Sequence, residues 1–245
     1  MILLENCANS VQSCIEAERG GAHRIEFCAG LPEGGTTPSF GALKVALQEV
    51  RIPIFPIIRP RSGDFIYTDL EVRQMLSDIY AFRELGVAGF VFGALTPDGT
   101  LDYEVNRKLL RAAEGVPVTL HRAFDMTRDM GSALEQAIYL GFSRILTSGG
   151  QNTAIEGSDV IRKLVQKANN RIIIMAGSGI TPDNAFDLVS QTGVTEVHGT
   201  LQSTIKSQSV FHNPNASMQS RSDVHSYDYP ETDSIKVRTL LDHFQ

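Results

Sequence analysis

Cysteine is scarce in this sequence: three residues in 245, all within the first 28 positions. An odd, clustered trio is not the framework of a disulfide-stapled secreted domain, and it fits free thiols in a reducing compartment. No run of basic residues occurs and the formal net charge is −6. That argues against a phosphate-neutralising surface for nucleic acid. No apolar stretch approaches the ~20 residues of a membrane-spanning helix. The opening MILLENCANS has no basic region ahead of its short apolar run, so no signal peptide is expected. The expectation is a cytoplasmic protein with neither a membrane nor a nucleic acid as partner.

What is present is alternation. Short apolar, β-branched runs read as strands at Ile2–Cys7, Arg24–Cys28, Ile54–Arg59, Gly89–Gly93, Val118–His121, Arg144–Thr147, Ile172–Ala176 and Glu196–Gly199. Helical patterns lie between them. Val11, Cys14, Ile15 and Glu18 follow i, i+3, i+4, i+7 spacing. Further helices are expected near Phe40–Glu49, Asp69–Leu85, Tyr103–Ala113, Ala133–Leu140, Ala154–Lys167 and Pro182–Ser190. Eight strands alternating with helices imply parallel βαβ units, and near-continuous apolar strands imply cover on both faces. The count favours a closed (β/α)8 barrel of the TIM type, one domain over residues 1–245, rather than an open doubly wound sheet. The polar segment 200–232 has no sustained period and reads as a long irregular loop after strand eight. A last helix over Ser234–Phe244 closes the ring.

In such a barrel the chemistry sits at the C-terminal ends of the strands. The tetrad Glu-x-Cys-Ala occurs twice, at Glu5–Ala8 and Glu26–Ala29, on the first two strands. Strand residues two apart share a face. Inward-facing Glu5 with Cys7, and Glu26 with Cys28, would therefore bring two carboxylates together, and two thiols nearer the mouth. Paired thiolates suit a soft monovalent metal such as Cu(I). Zinc usually wants more protein ligands, and no spacing supplies them. The alternative is that Cys7 and Cys28 pack as small hydrophobes, as Cys14 is expected to on its helix. A redox disulfide remains open.

Glu5 and Glu26 are candidates for an acid/base pair, with His121 as a third catalytic candidate. The plainer alternative holds them in a buried ion network with Arg24 or Arg59. Gly177-Ser178-Gly179, ahead of a capped helix start at Thr181-Pro182, forms a candidate anion cradle. Arg59, Arg61 and His198 are candidate anion-binding residues at the same mouth, and His121 stands next to Arg122 with Asp125 close by. So much polarity at the strand ends suits an enzyme, or degenerate enzyme, acting on a small anionic or phosphorylated metabolite.

Several longer runs then come together: Glu5–Ser10, Gly20–Cys28, Gly30–Ser39, Ile58–Phe65, Phe92–Gly99, Thr119–Met126 and Leu146–Gly150. Over residues 1–200 this set resembles the copper homeostasis protein CutC family. The resemblance implies a cytoplasmic (β/α)8 barrel, a homo-oligomer, and a role in copper handling with copper as cofactor or cargo. The cysteines that the family offers as Cu(I) ligands fall on Cys7 and Cys28. One departure stands out: His212 precedes Asn213 where the family often carries an arginine.

Overall fold

The helix starts are written in short polar side chains. Ser10, Ser39, Thr68, Asp102 and Asp129 each accept the backbone N–H three residues on, satisfying a donor that the first turn leaves free. In a computed structural model that describes residues 2–213, 215 and 227–244, these caps open helices that alternate with strands. The order is β1 (Leu3–Ala8), α1 (Val11–Gly20), β2 (Arg24–Phe27), α2 (Phe40–Glu49), β3 (Ile54–Pro56), α3 (Asp69–Glu84), β4 (Phe90–Phe92) and α4 (Tyr103–Ala112). It continues with β5 (Val118–Leu120), α5 (Met130–Leu140), β6 (Arg144–Thr147), α6 (Ser158–Ala168), β7 (Ile173–Gly177), α7 (Pro182–Thr192) and β8 (Glu196–Gly199).

The eight strands run parallel in the order β3-β2-β1-β8-β7-β6-β5-β4. The Ile58 N–H donates to the Val91 carbonyl at 2.8 Å, and a parallel bridge joins Ile57 to Val91. These contacts close β3 onto β4. The chain is the expected TIM barrel. Pro56 cannot donate to a ladder, and β3 ends there instead of running to Arg59. None of the helices is long and apolar enough to cross a membrane among the described residues.

The expectation for 200–232 is corrected in part. Gln202–Ile205 forms β9 and pairs antiparallel with β10 (Tyr229–Thr232), which leads into α8 (Ser234–Asp242). Residues 214 and 216–226 of that segment lie outside the described ones. Thr232 ties the pair down: its N–H donates to Ser13 Oγ and its hydroxyl to Asn6 Oδ1, both at 3.1 Å. Polar strands with a proline carry no apolar run, so the pattern that identified the barrel strands could not find this pair.

The main core fills the space between barrel and helices, with Leu4, Ile25, Phe27, Phe90, Phe92 and Val197 among its buried members. Period-two alternation turns the intervening residues inward, where Cys7, Cys28, Phe55, Ile57 and Val91 form a separate small cluster. Helix α8 seals the ring against α1 at Gly20. A methyl group there would lie 2.5 Å from Val237 Cβ and 2.8 Å from the Ser234 carbonyl oxygen. Gly20→Ala, although helix-favouring in isolation, is therefore expected to cost about 1–3 kcal/mol through overpacking. Urea denaturation reads this directly, and a gain in stability would contradict the seating of α8 on α1.

Candidate functional site

Strand register decides what meets what. On β1 and β2, Glu5 pairs with Arg24 and Cys7 with Glu26. The two tetrads are thus offset by two residues, because closing a barrel staggers neighbouring strands. The sequence places both carboxylates on one level and both thiols on the next. Instead Glu5 lies lowest, Glu26 and Cys7 share the middle level, and Cys28 lies above.

The lowest layer is an ion network in place of the branched apolar residues that usually fill such barrels. Arg24 donates from Nε to Glu5 and from Nη2 to Glu196 Oε2 at 2.6 Å. Arg144 donates to both oxygens of Glu196, at 2.5 and 3.3 Å, and to Thr119 Oγ1 at 3.0 Å. Both guanidinium groups lie over the Phe55 ring, 5.2 and 5.8 Å from its centroid. Glu5 is fully buried and has His198 Nδ1 2.8 Å from its second oxygen. Burial pushes its carboxyl pKa up, but the Arg24 charge and the His198 bond prevail and hold it at about 2. Glu5 is thus the anchor of a network, not exposed to a ligand.

That low pKa has a consequence for stability. The unfolded chain protonates Glu5 near 4.5, whereas the folded protein resists until about 2. The stabilisation from Glu5 is whole above pH 4.5 and drains as pH falls toward 2, by about 3 kcal/mol at 1.36 kcal/mol per pKa unit. Glu26 acts with the opposite sign, since its raised pKa favours the folded state on the acid side. Urea denaturation at pH 6 and pH 3 is expected to show an acid loss that Glu5→Gln makes clearly smaller. An equal acid loss in that variant would contradict the role given to Glu5.

Above the network a cavity of about 600 Å³ opens at the C-terminal ends of the strands. Cys7, Glu26 and His198 form its floor, and Cys28 stands just behind Cys7, with 3.9 Å between the sulfurs. Ligand atoms of Cys7, Glu26 and His198 all lie within 4.8 Å of one another. Cys7 Sγ donates to Glu26 Oε1 at 3.5 Å, and the buried Glu26 Oε2 has no partner. Burial, then the Glu5 charge, push the Glu26 pKa up against the pull of His198. The hydrogen bond with Cys28, burial and the Glu26 charge hold the Cys7 thiol well above its ordinary value. For His198, burial opposes the charged form, but the Glu26 charge and the Glu5 bond raise its pKa.

The other candidates distribute unevenly. Arg59 and His121 border the cavity and are almost fully buried. Ser178 and Gly179 border it too, whereas Gly177 lies below, so close that a methyl group would sit 2.5 Å from Leu146 Cδ1. Arg61 is outside the lining and is held by Glu71 at 2.6 Å and Asp64 at 3.0 Å. Arg122 borders the cavity but is tied to Asp125 and Ser148. Asp125 also accepts from Thr147, Ser148 and Gly150, which makes it the organiser of the β6 loop. Cys14 packs in the core on α1, and burial raises its pKa to about 12. His212 stacks on Tyr227, with 4.3 Å between centroids, and does not border the cavity.

Sequence reasoning missed Arg144 and Glu196, although charged residues at the starts of strands read as fully buried were a usable signal. It also missed Phe65, Gln202 and Pro230 in the cavity wall, which carry no motif.

Comparison with known proteins agrees with this architecture. The CutC family model matches residues 2–203. A human protein named copper homeostasis protein cutC homolog is 47% identical over 238 residues, covering 97% of this chain and 87% of its own. A family protein CutC of Parabacteroides distasonis is 48% identical over 240 residues, covering 98% of this chain and 99% of its own. Among solved structures, a CutC crystal structure from Streptococcus agalactiae superposes with a TM-score of 0.78 at 41% identity, covering 82% of this chain and 99% of that one. The match by family, by sequence along nearly the whole chain and by barrel geometry places the chain in the CutC family.

Proposed function

We propose that the chain binds one Cu(I) ion between Cys7 and Cys28, with His198 as third ligand. The observation that carries this reading is the 3.9 Å separation of two buried sulfurs, one on the cavity floor and the other just behind it. Metal–thiolate bonds are about 2.3 Å long for a comparable ion. Two sulfurs 3.9 Å apart then subtend an angle of about 115° at the metal. That bent angle leaves a third position open, and His198 has a ring nitrogen within 4.8 Å of Cys7 Sγ.

The donor set supports a soft monovalent ion. Thiolate and imidazole suit Cu(I), whereas hard cations prefer oxygen. Glu5 supports the histidine. A carboxylate held ionised accepts from His198 Nδ1, which leaves the Nε2 lone pair for a metal, in the carboxylate–histidine–metal pattern that orients such ligands. Without metal the Cys7 thiol carries its proton, since its pKa is raised. Binding therefore releases protons and strengthens as pH rises. Glu26 touches Cys7 Sγ and offers the first acceptor for the departing proton. The reducing compartment expected from the free thiols favours Cu(I) as the ion met there.

Anaerobic titration with Cu(I) against a competing chelator tests the reading. One ion per chain is expected, and its loss in the Cys7→Ser/Cys28→Ser variant. Unaltered affinity and stoichiometry in that variant would reject it.

A further inference from the structure

The cavity is far larger than one ion needs, and about 600 Å³ is within the range of small-molecule pockets. Its wall around Arg59 and His121 is built differently from its floor. Arg59 is only 4% exposed. Its Nη1 donates to the Glu33 and Gly35 carbonyls at 3.0 and 2.9 Å, and its Nη2 to the Gly63 carbonyl at 2.9 Å. Those bonds fix the guanidinium in place but bring no negative charge. Among the described residues no carboxylate lies within ion-pair distance of it, and its Nε is buried without an acceptor. A buried cation is costly unless it meets an anion.

His121 stands beside it. Phe65 bridges them, with its ring 5.0 Å below the Arg59 guanidinium carbon and 4.8 Å from the His121 ring. His121 Nδ1 accepts the Ala123 N–H at 3.2 Å, so in the neutral ring Nε2 carries the hydrogen. Burial and then the Arg59 charge hold the His121 pKa down at about 3, which keeps the ring neutral. Nε2 is buried and has no partner. Two donors on neighbouring residues of one wall thus lack an acceptor, and one of them is charged. Across the cavity the backbone N–H groups of Gly179 and Ile180 also donate to nothing among the described residues. They follow β7, where barrels of this type often hold phosphate.

We infer that the cavity is a binding site for a small organic oxyanion, a carboxylate or a phosphate ester, whose anionic group sits against Arg59 Nε and His121 Nε2. The organic part of the ligand lies on Leu31, Ile57, Leu146 and Ile180, which supply the apolar wall. Arg61 takes no part, being outside the cavity and already paired. This site uses neither thiol and stands independently of copper.

The test is isothermal titration of the full chain, stripped of metal by a chelator, with inorganic phosphate and with malonate at constant ionic strength set by chloride. Saturable binding of at least one is expected, and whichever binds identifies the class of oxyanion. His121→Asn is the informative variant, because the Asn side-chain oxygen still accepts from Ala123 while the Nε2 donor is gone. It is expected to weaken binding at least tenfold without changing the melting temperature measured in chloride alone. Arg59→Lys, which keeps a positive charge but loses the guanidinium donor, is expected to weaken it too. Arg61→Ala is expected to bind like the wild type. Absence of saturable binding by either anion, or wild-type affinity in both His121→Asn and Arg59→Lys, would overturn the inference. Both results are read on metal-free protein, so they stand or fall apart from Cu(I) binding.

Discussion

Arg24→Met is expected to lower the unfolding free energy by about 3–5 kcal/mol, the usual result of removing one partner from a buried ion pair. Methionine roughly matches the arginine stem in length and apolar character, so the loss is mainly electrostatic. Arg24 serves two carboxylates through different nitrogens: Glu5 through Nε, and Glu196 through Nη2. Without it, the fully buried Glu5 keeps only His198, and Glu196 keeps only Arg144. One carboxylate must then take up a proton or draw water into the barrel. Arg24→Lys is expected to fall between, because one ammonium cannot reproduce donors fixed in a planar fork. For a domain of this size the Met variant corresponds to a melting temperature lowered by about 6–20 °C. A loss below about 1 kcal/mol in urea denaturation would contradict the network as the support of the barrel interior.

The second large effect concerns affinity. Cys7→Ser and Cys28→Ser are each expected to weaken Cu(I) binding more than a hundredfold, beyond the 10–100-fold that loss of an outer-shell partner brings. Serine matches the shape of cysteine but offers a hard oxygen that stays protonated, so a soft ion loses a ligand while the fold loses little. His198→Gln is expected to cost less than either, because two thiolates remain. Glu5→Gln is expected to act through His198 alone. It keeps the shape of the carboxylate but removes the charge that orients the imidazole. If His198→Gln proved more damaging than Cys28→Ser, the ion would have to sit on the Cys7–Glu26–His198 side of the floor, away from Cys28. Chelator competition for each variant separates these cases.

The barrel was legible because its strands are short, β-branched and evenly spaced, and because fully covered strands need no alternation. Register was not legible. The repeated tetrad invites a level-by-level pairing of Glu5 with Glu26, and only the stagger of a closed barrel brings Cys7 opposite Glu26. The role of Glu5 followed from that shift, since Arg24, not Glu26, became its neighbour. Arg59 and Arg61 look equivalent in the run Ile58–Phe65, yet one turns into the cavity and the other pairs with Glu71 on the surface. Two residues apart on a regular strand would share a face. The alternation holds through Phe55, Ile57 and Arg59, which all face inward, and is lost after Pro60. The β9–β10 pair escaped because it is tied to the barrel by polar bonds, those of Thr232 and Gln202 among them, rather than by an apolar run.

X-ray absorption at the copper edge, on protein loaded anaerobically with one equivalent of Cu(I), tests the metal centre most directly. Two sulfur neighbours at about 2.3 Å and one nitrogen are expected in the wild type, with both sulfurs lost in Cys7→Ser/Cys28→Ser. A shell of nitrogen and oxygen alone, or the same sulfur count in the double variant, would contradict a copper site at the Cys7–Cys28 pair.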